Sequence, residues 1–222
     1  MYDIRPNLVI AFHGCDIRVR DKLLNNPDEI VISQRPYDWL GHGMYFWENN
    51  YERAMQWAED KKRRGAIVTP AVIGAVLQLG YCCDLTDTKS IRVVVDAYQK
   101  MVEKCKIAGK ELPRNRDLPH DKHKDRLLRD LDCATIEFMH KLQQSYFQND
   151  FNRLGFSNVK VFDSTRGVFI EGGPAFEGSD IMAKTHTQLC IRNFNCIQGF
   201  FLPRQGRIFM PWVASTEPRT AA

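Results

Sequence analysis

Three short segments place a side chain that can do chemistry beside glycine or at the start of an apolar run. His13 stands in Phe-His-Gly, Tyr45 in Gly-His-Gly-Met-Tyr-Phe-Trp, and Gln188 in Thr-Gln-Leu-Cys-Ile-Arg. An imidazole can hydrogen-bond a hydroxyl, and a tyrosine ring can stack on a flat heterocycle. An uncharged amide can hold a hydroxyl but cannot act as a base. Each segment alone is more often structural, since strand-end histidines and glycine turns before core strands are common.

The hydrophobic pattern predicts the elements that position these segments. Apolar runs predict strands at residues 8–12, 43–47, 71–79, 159–162 with an extension at 167–170, 187–192 and 197–202. Helical spacing predicts helices from Asp16 to Leu24, at 51–64, from about 88 to 108 and at 125–154, with loops at 111–121 and 171–182. Short strands at both ends and helices between them predict an α+β fold.

Four residues mark where these helices begin and end. Asp16 and Asn50 are suited to N-capping, because their side chains can accept from free backbone N–H groups. Gly65 and Gly109 stand where a C-terminal cap is expected. The run at 71–79 is apolar nearly throughout, which predicts a central strand buried on both faces.

Length and composition indicate one globular domain. The chain has 222 residues, 44% of them hydrophobic and 26% charged. We expect a single domain at 1–205 with a helical insertion at about 88–152, and a loosely attached tail at 206–222. No apolar run is long enough to cross a bilayer, and residues 1–12 lack the basic region and cleavage site of a secretory signal. The sequence therefore predicts a cytoplasmic protein without a membrane partner.

The seven cysteines and six histidines never fall into metal-ligand spacing. No Cys-x-x-Cys pair occurs, and the adjacent Cys82 and Cys83 are poorly placed to bridge. We expect reduced thiols that serve as small apolar residues, and no metal site.

The positive charge is concentrated in the predicted helical section. Residues 100–130 hold ten Lys and Arg against six Asp and Glu, which equals the whole net charge of +4. A basic face can attract phosphate backbones, but it can equally be the solvated side of a helical hairpin.

In their order along the chain and in the predicted elements around them, the three segments resemble the ADP-ribosyltransferase superfamily, in its diphtheria toxin and poly(ADP-ribose) polymerase branch. That branch carries a His in His-Gly, a Tyr in Gly-x-Gly-x-Tyr-Phe and usually a Glu late in the chain, which correspond to His13, Tyr45 and Gln188. The resemblance covers about residues 8–85 and 155–203, but not the helical section. It implies a split β-sheet core with a helical insertion. It also implies an enzyme that cleaves NAD, as a co-substrate and without a metal, and transfers ADP-ribose.

The resemblance also implies roles for individual residues. His13 would bind a ribose hydroxyl, and the backbone of Gly14 would approach the nicotinamide carboxamide closely. Tyr45 would stack on nicotinamide, with Trp57 on the following helix closing the sandwich and Tyr51 as second choice. Core packing is the alternative interpretation of Trp57.

The third position departs from the family, because Gln188 stands where a carboxylate usually stabilises the ribosyl cation. One interpretation is an enzyme that transfers a single ADP-ribose without chain growth. Another is that Glu171 or Glu177 in the preceding loop supplies the acid. A third is that catalysis is absent, either by evolution or by replacement of an active-site Glu.

Two loops are expected to complete the site. The loop at 172–182 occupies the position of the family's acceptor-recognition loop, with Phe176 and Glu177 at its middle; a plain surface connection is the alternative. The loop before Tyr45 borders the cofactor cleft, so Ser33 or Arg35 would meet the NAD phosphates. Further polar candidates without an assigned role are Arg166, Lys184 and His186.

The sequence thus predicts a mono-ADP-ribosyltransferase with a macromolecular acceptor. RNA, DNA and protein are all candidates, and the basic section, with a pI near 8.7, slightly favours nucleic acid. A bacterial toxin or defence effector is the corresponding kind of protein, for which an antitoxin or inhibitor protein would be a partner. The alternatives are an inactive module that binds NAD or ADP-ribosyl groups, and an NAD glycohydrolase.

Overall fold

The computed structural model describes residues 7–119 and 121–204, and these form a mixed α+β fold around one sheet. The seven strands lie in the order β4-β7-β8-β2-β1-β3-β9. They are β1 (Val9–Asp16), β2 (Met44–Glu48), β3 (Pro70–Leu77), β4 (Cys82–Asp84), β7 (Ser164–Phe169), β8 (His186–Ile191) and β9 (Ile197–Phe201). All neighbouring pairs are antiparallel except β4 and β7, which are parallel.

Two helices pack close to the sheet near its first strands. They are α1 (Ile17–Asn25) and α2 (Tyr51–Arg63). Their predicted caps are confirmed: the Asp16 carboxylate accepts from the Arg18 N–H, and the Asn50 side chain accepts from the Arg53 N–H. Each cap satisfies a backbone donor that the first helical turn leaves free.

The helical section lies between β4 and β7. It contains α3 (Thr88–Ile107), α4 (Asp130–Leu154) and a two-stranded ladder of β5 (Asn115–Arg116) and β6 (Leu128–Arg129). The two helices pack on each other and, through Ala97, Ile136 and Met139, on Phe162. The insertion therefore has an apolar core that is continuous with the edge of the sheet.

The structure corrects three predicted elements. Residues 159–162 are not a strand; they run as irregular chain into β7, which starts at Ser164. The helix expected from residue 125 begins only at Asp130, because residues 128–129 pair with 115–116. The strand from Pro70 is buried along most of its length but lies next to the sheet edge, between β1 and β9, rather than at its centre.

The prediction of a loop at 111–121 is wrong in part, because this segment contains the short strand β5, which pairs with β6. The loop at 171–182 contains no strand. A 3-10 turn (Phe194–Cys196) connects β8 to β9, but the two strands do not form a hairpin, because β8 pairs with β7 and β2 whereas β9 pairs with β3 at the sheet edge. All seven cysteines are free thiols, six of them buried. The predicted tail at 206–222 lies outside the described residues.

Candidate active site at the split between two strands

The sheet splits where β1 and β2 meet. These strands pair at only two positions, Ala11 with Glu48 and Phe12 with Trp47. Beyond Phe12, β1 pairs with β3 alone, and Met44 to Phe46 of β2 pair with β8 alone. A gap therefore opens in the hydrogen-bond ladder at His13, leaving the carbonyl of Tyr45 free to bond a side chain.

His13 fills the start of this gap. Its Nδ1 lies 2.7 Å from the carbonyl oxygen of Tyr45. Because a carbonyl only accepts, Nδ1 must carry the hydrogen, so Nε2 of the neutral ring carries a lone pair. The pKa of His13 is lowered to about 4, mainly because the ring is buried. The hydrogen bond to the Tyr45 carbonyl opposes this shift, and the positive charge of Lys61 adds to it. At neutral pH His13 is therefore an oriented hydrogen-bond acceptor, as the sequence predicts for a residue that binds a hydroxyl.

Tyr45 is held by the loop that precedes it. Its hydroxyl donates to the Gly41 carbonyl at 2.8 Å and accepts from the Leu40 N–H at 3.0 Å. Its ring packs against the cluster that contains Trp39 and Leu40, and burial raises its pKa well above the usual 10. In this conformation the loop covers part of the ring that would stack on a ligand.

Gln188 lies on β8 opposite Trp47 of β2 and Gly167 of β7. The indole N–H of Trp39 donates to Gln188 Oε1 at 2.6 Å. Since indole is a donor only, this bond fixes which end of the amide is oxygen. Gln188 therefore turns its NH₂ group, with two donors, toward any further partner.

The three motif residues thus lie on the three neighbouring strands β8, β2 and β1. Strand alternation places Tyr45 and Gln188 on one face of the sheet. The His13 ring lies on the other side of the β2 backbone, 5.8 Å from the Phe46 ring. A ligand that contacts His13 and Gln188 together must cross the split.

Gly14 is a point of very close packing. A Cβ added there would lie 2.1 Å from the carbonyl oxygen of Ala54 in α2. The sequence predicts a close backbone approach at Gly14, and the structure shows one, but the approaching group is a helix of the same chain.

Trp57 does not face Tyr45. Its ring lies 5.6 Å from that of Trp47, and the Lys61 ammonium sits 3.7 Å above it. Tyr51, the second choice, packs edge-on against Phe12 at 5.7 Å. Neither residue forms the expected sandwich with Tyr45 in this conformation.

A positive rim adjoins His13. Burial and the nearby Arg35 lower the pKa of Lys61 to about 8. Ser33 pairs with Gly43 through both backbone groups, and Asp38, whose pKa is raised by burial, accepts from the Arg35 N–H at 2.7 Å. Ser33 and Arg35 were candidates from the sequence, whereas Lys61 was missed. The available signal was its place one turn after Trp57 on the same helix face.

The loop between β7 and β8 separates the two acids proposed to replace the missing carboxylate. Phe176, with 63% of its surface exposed, and Glu177, also exposed, lie at the tip of this loop. Glu171 at its base is buried and forms an ion pair with Arg53 of α2. His186, where the loop rejoins the sheet, lies 3.8 Å from the same carboxylate. Only Glu171 is thus held in a fixed position near Gln188.

The other polar candidates are placed apart. Arg166 forms ion pairs with Glu48 and Asp84 on the face opposite Gln188. The Lys184 side chain is exposed. Neither contacts the motif residues, which indicates structural and surface roles for them.

The helical insertion holds both loops around the site. Glu137 of α4 accepts from the His42 N–H at 2.8 Å and pairs with Arg192, so it secures the turn before Tyr45. Asp125 accepts from the Gly172 N–H at 2.8 Å, which secures the base of the β7–β8 loop. The insertion is therefore part of the architecture of the site.

Comparison with known proteins gives no relative: no family model, no curated protein and no solved structure matches the chain. Among residues 7–119 and 121–204, no helix combines the length and hydrophobicity needed to cross a membrane. In the same residues, no group of three or more His, Cys, Asp or Glu side chains is arranged to hold a metal ion.

Proposed function

We propose that the protein is a mono-ADP-ribosyltransferase that cleaves NAD and transfers ADP-ribose to a macromolecular acceptor. The observation that carries the proposal is the meeting of His13, Tyr45 and Gln188 on three neighbouring strands at a split in the sheet. These residues are far apart in the sequence, and core packing alone does not require an oriented imidazole at the split.

The chemistry of each group suits one part of NAD. The lone pair on His13 Nε2 can accept from a ribose hydroxyl, and the Gln188 NH₂ can donate to a hydroxyl oxygen. The glycosidic bond then breaks with its electron pair leaving on nicotinamide, and a bond forms between the ribose carbon and the acceptor. Since Gln188 is uncharged, the site favours a single transfer over chain growth.

The positive rim supports a ligand with phosphates. Arg35 contributes to the lowered pKa of Lys61, and Lys61 contributes to the lowered pKa of His13. Lys61, beside the residue that would bind a ribose, and Arg35 next to it are placed to attract the pyrophosphate of a dinucleotide.

Nucleic acid is the favoured acceptor. A cleft of about 470 Å³ opens between the insertion and the β7–β8 loop, where it is bordered by Gly173 and Pro174. Three basic side chains line it, against two carboxylates: Lys124, Arg126 and Arg129, with Asp125 and Asp132. A cleft with basic side chains, bordered by the proposed acceptor loop, suits a phosphodiester backbone.

The test is nicotinamide release from NAD by the purified protein, with total RNA, DNA and lysate protein added in turn. His13→Ala and Tyr45→Ala serve as site variants. We expect release that depends on one added polymer, with that polymer becoming labelled from labelled NAD and both variants inactive. No label on any polymer would refute a transferase.

A second candidate, an inactive NAD-binding module, is favoured by one observation. The oxygen of Gln188 accepts from Trp39 and the side chain carries no negative charge, so position 188 offers no carboxylate to a ribosyl cation. Calorimetry with NAD, combined with the release assay, separates the two functions. Binding without release over a long incubation would identify the module.

A further inference from the structure

Next to Gln188 lies a second group of polar side chains that the motifs do not include. It consists of Trp47, Arg53, Glu171 and His186, none of which exposes more than 9% of its surface. Arg53 and Glu171 form an ion pair, and His186 Nδ1 lies 3.8 Å from the Glu171 carboxylate. Such a group is costly to bury, so its retention calls for an explanation.

Several nitrogens of this cluster have no partner within the described part of the chain. They are Trp47 Nε1, Arg53 Nε and Nη1, and His186 Nε2, each shielded from solvent. A buried polar atom without a hydrogen bond is rare in native proteins and often marks a functional site or a bound water. Four such atoms in one cluster indicate a position for a small polar group.

The hydrogen positions define what that group is. His186 Nδ1 lies 2.7 Å from the carbonyl oxygen of Lys184, so it carries the hydrogen and Nε2 carries a lone pair. The free nitrogens of Trp47 and Arg53 are donors. A group that fits these atoms must accept from the Trp47 and Arg53 donors and donate to His186 Nε2. A hydroxyl or a water molecule does both.

The cluster adjoins both the motif residues and the surface. His186 stands two positions before Gln188 on the same face of β8, and Trp47 is the register partner of Gln188 on β2. On its outer side, Arg53 and residues 183–185 line a cleft of about 430 Å³ between α2 and the β7–β8 loop. Arg53 is the cluster residue that lines this cleft, so a hydroxyl that entered there would reach the cluster at Arg53.

We propose that His186 is the catalytic base that takes the acceptor's proton in the transfer step, with Glu171 and Arg53 as its positioning residues. This inference rests on the proposed function. The acceptor oxygen bonds to the ribose carbon as nicotinamide leaves with the electron pair of the glycosidic bond. The hydroxyl proton moves to His186 Nε2, and the Glu171 carboxylate stabilises the resulting imidazolium. Gln188 cannot take this proton because an amide is not a base.

The charges around His186 set the pH range in which the base is active. Burial lowers the pKa of His186 below 6.5, the Lys184 carbonyl opposes this, and Arg53 and Glu171 act in opposite directions. Its other neighbours, Trp47 and Phe169, are uncharged, and the Arg129 guanidinium lies over Phe169 at 4.0 Å. His186 is therefore unprotonated at neutral pH, and transfer is lost as the pH falls through a midpoint below 6.5.

The first experiment is the pH profile of label transfer from NAD, with total RNA, DNA and lysate protein as parallel acceptors. We expect the wild-type rate to fall on the acid side with a midpoint below 6.5. In His186→Gln we expect transfer to drop at least about 100-fold, with NAD binding unchanged. The fall in the transfer rate at acid pH, called here the acid limb, should vanish. His140→Gln, a buried histidine of α4 outside the site, is the matched control and should keep the limb.

A wild-type rate that does not fall at any pH below 6.5, or an unchanged acid limb in His186→Gln, overturns the inference. If His186→Gln fails to bind NAD, Glu171→Gln decides: loss of the carboxylate must move the acid limb to lower pH, and an unmoved limb refutes the proposal. A wild-type protein that neither binds NAD nor releases nicotinamide refutes the proposed function itself. An active wild type with no effect at His186 refutes this inference alone.

Discussion

In the proposed reaction, a negative charge at position 188 would act directly on the developing ribosyl cation. Its amide oxygen accepts from the Trp39 indole at 2.6 Å, so the side chain is fixed and turns two donors outward. A carboxylate in the same place could accept the same indole N–H with one oxygen and still present the other. The structure therefore accommodates Gln188→Glu without a lost hydrogen bond.

For Gln188→Glu we expect nicotinamide release to rise by at least about tenfold, which corresponds to about 1.4 kcal/mol of additional transition-state stabilisation. The measurement is the initial rate of nicotinamide release at saturating NAD. Gln188→Leu is the matched control, because it keeps the volume but leaves the Trp39 N–H unpaired, at a cost of about 1–3 kcal/mol in stability. Equal rates in the two variants would contradict the role assigned to position 188.

The sequence could predict the motif residues but not their local partners. His13 and Tyr45 were recognisable from glycine-flanked patterns, and the oriented imidazole at the split agrees with the expected hydroxyl-binding role. The bond from Trp39 to Gln188 joins residues 149 positions apart, and no local pattern encodes it. The ion pair of Arg53 with Glu171 spans 118 positions and was missed for the same reason.

At the scale of elements, the packing of α2 on β1 depends on one missing side chain. Gly14 lets the Ala54 carbonyl come so close that an added Cβ would lie 2.1 Å away. Because backbone atoms cannot rotate out of the way, α2 would have to move as a unit, and with it Trp57 and Lys61.

For Gly14→Ala we expect a loss of at least about 2 kcal/mol in the free energy of unfolding, measured by urea denaturation, together with weaker NAD binding. Gly199→Ala is the matched control, since Gly199 is also a strand glycine but an added Cβ meets nothing within 4 Å. That variant should stay within about 0.5 kcal/mol of the wild type. Equal stability of the two variants would show that α2 does not depend on contact with Gly14.

The insertion acts on the site through Glu137. Its carboxylate accepts from the His42 N–H and pairs with Arg192, and these partners lower its pKa although burial alone would raise it.

For Glu137→Ala we expect a loss of about 1–3 kcal/mol in stability and faster hydrogen exchange at the His42 amide. Lys141→Ala, an exposed change one turn later on α4, should alter neither quantity. An unchanged His42 exchange rate in Glu137→Ala would mean that the insertion does not hold this turn.

The helices and five of the seven sheet strands were predictable from their hydrophobic patterns, whereas the two- and three-residue strands were not. The caps at Asp16 and Asn50 were found because a capping side chain and its helix lie side by side in the sequence. Residues 159–162 have a strand's composition, but they pack as irregular chain because no neighbouring strand is available there. The strand of residues 82–84 exists only through its parallel pairing with residues 164–166, which sequence patterning cannot show.

At the scale of the whole molecule, the strand order β4-β7-β8-β2-β1-β3-β9 brings β1 and β9, the first and last strands of the described residues, into one sheet. At this scale, only the α+β class and the helical section in the middle of the chain could be predicted. The strand order could not, because it depends on which faces of the strands and helices pack together in the folded chain. This topology also buries three histidines as neutral groups: His13 with a pKa of about 4, His140 with a pKa of about 3, and His186 with a lowered pKa.

Each of these histidines binds its proton more tightly in the unfolded chain, where the pKa is near 6.5, than in the folded protein. The stability that depends on their neutral forms is therefore complete above pH 6.5 and is lost as the pH falls toward the folded pKa values. Asp38, whose pKa burial raises, acts in the opposite sense near pH 4. We expect the free energy of unfolding from urea titrations to fall steeply from pH 6.5 to 5.

His140 is 4% exposed, its ring packs edge-on against Phe162, and neither ring nitrogen has a partner in the described structure. In His140→Gln the slope should therefore decrease by about one proton, or roughly 1.4 kcal/mol per pH unit, and an unchanged slope would show that His140 is not held neutral by the fold.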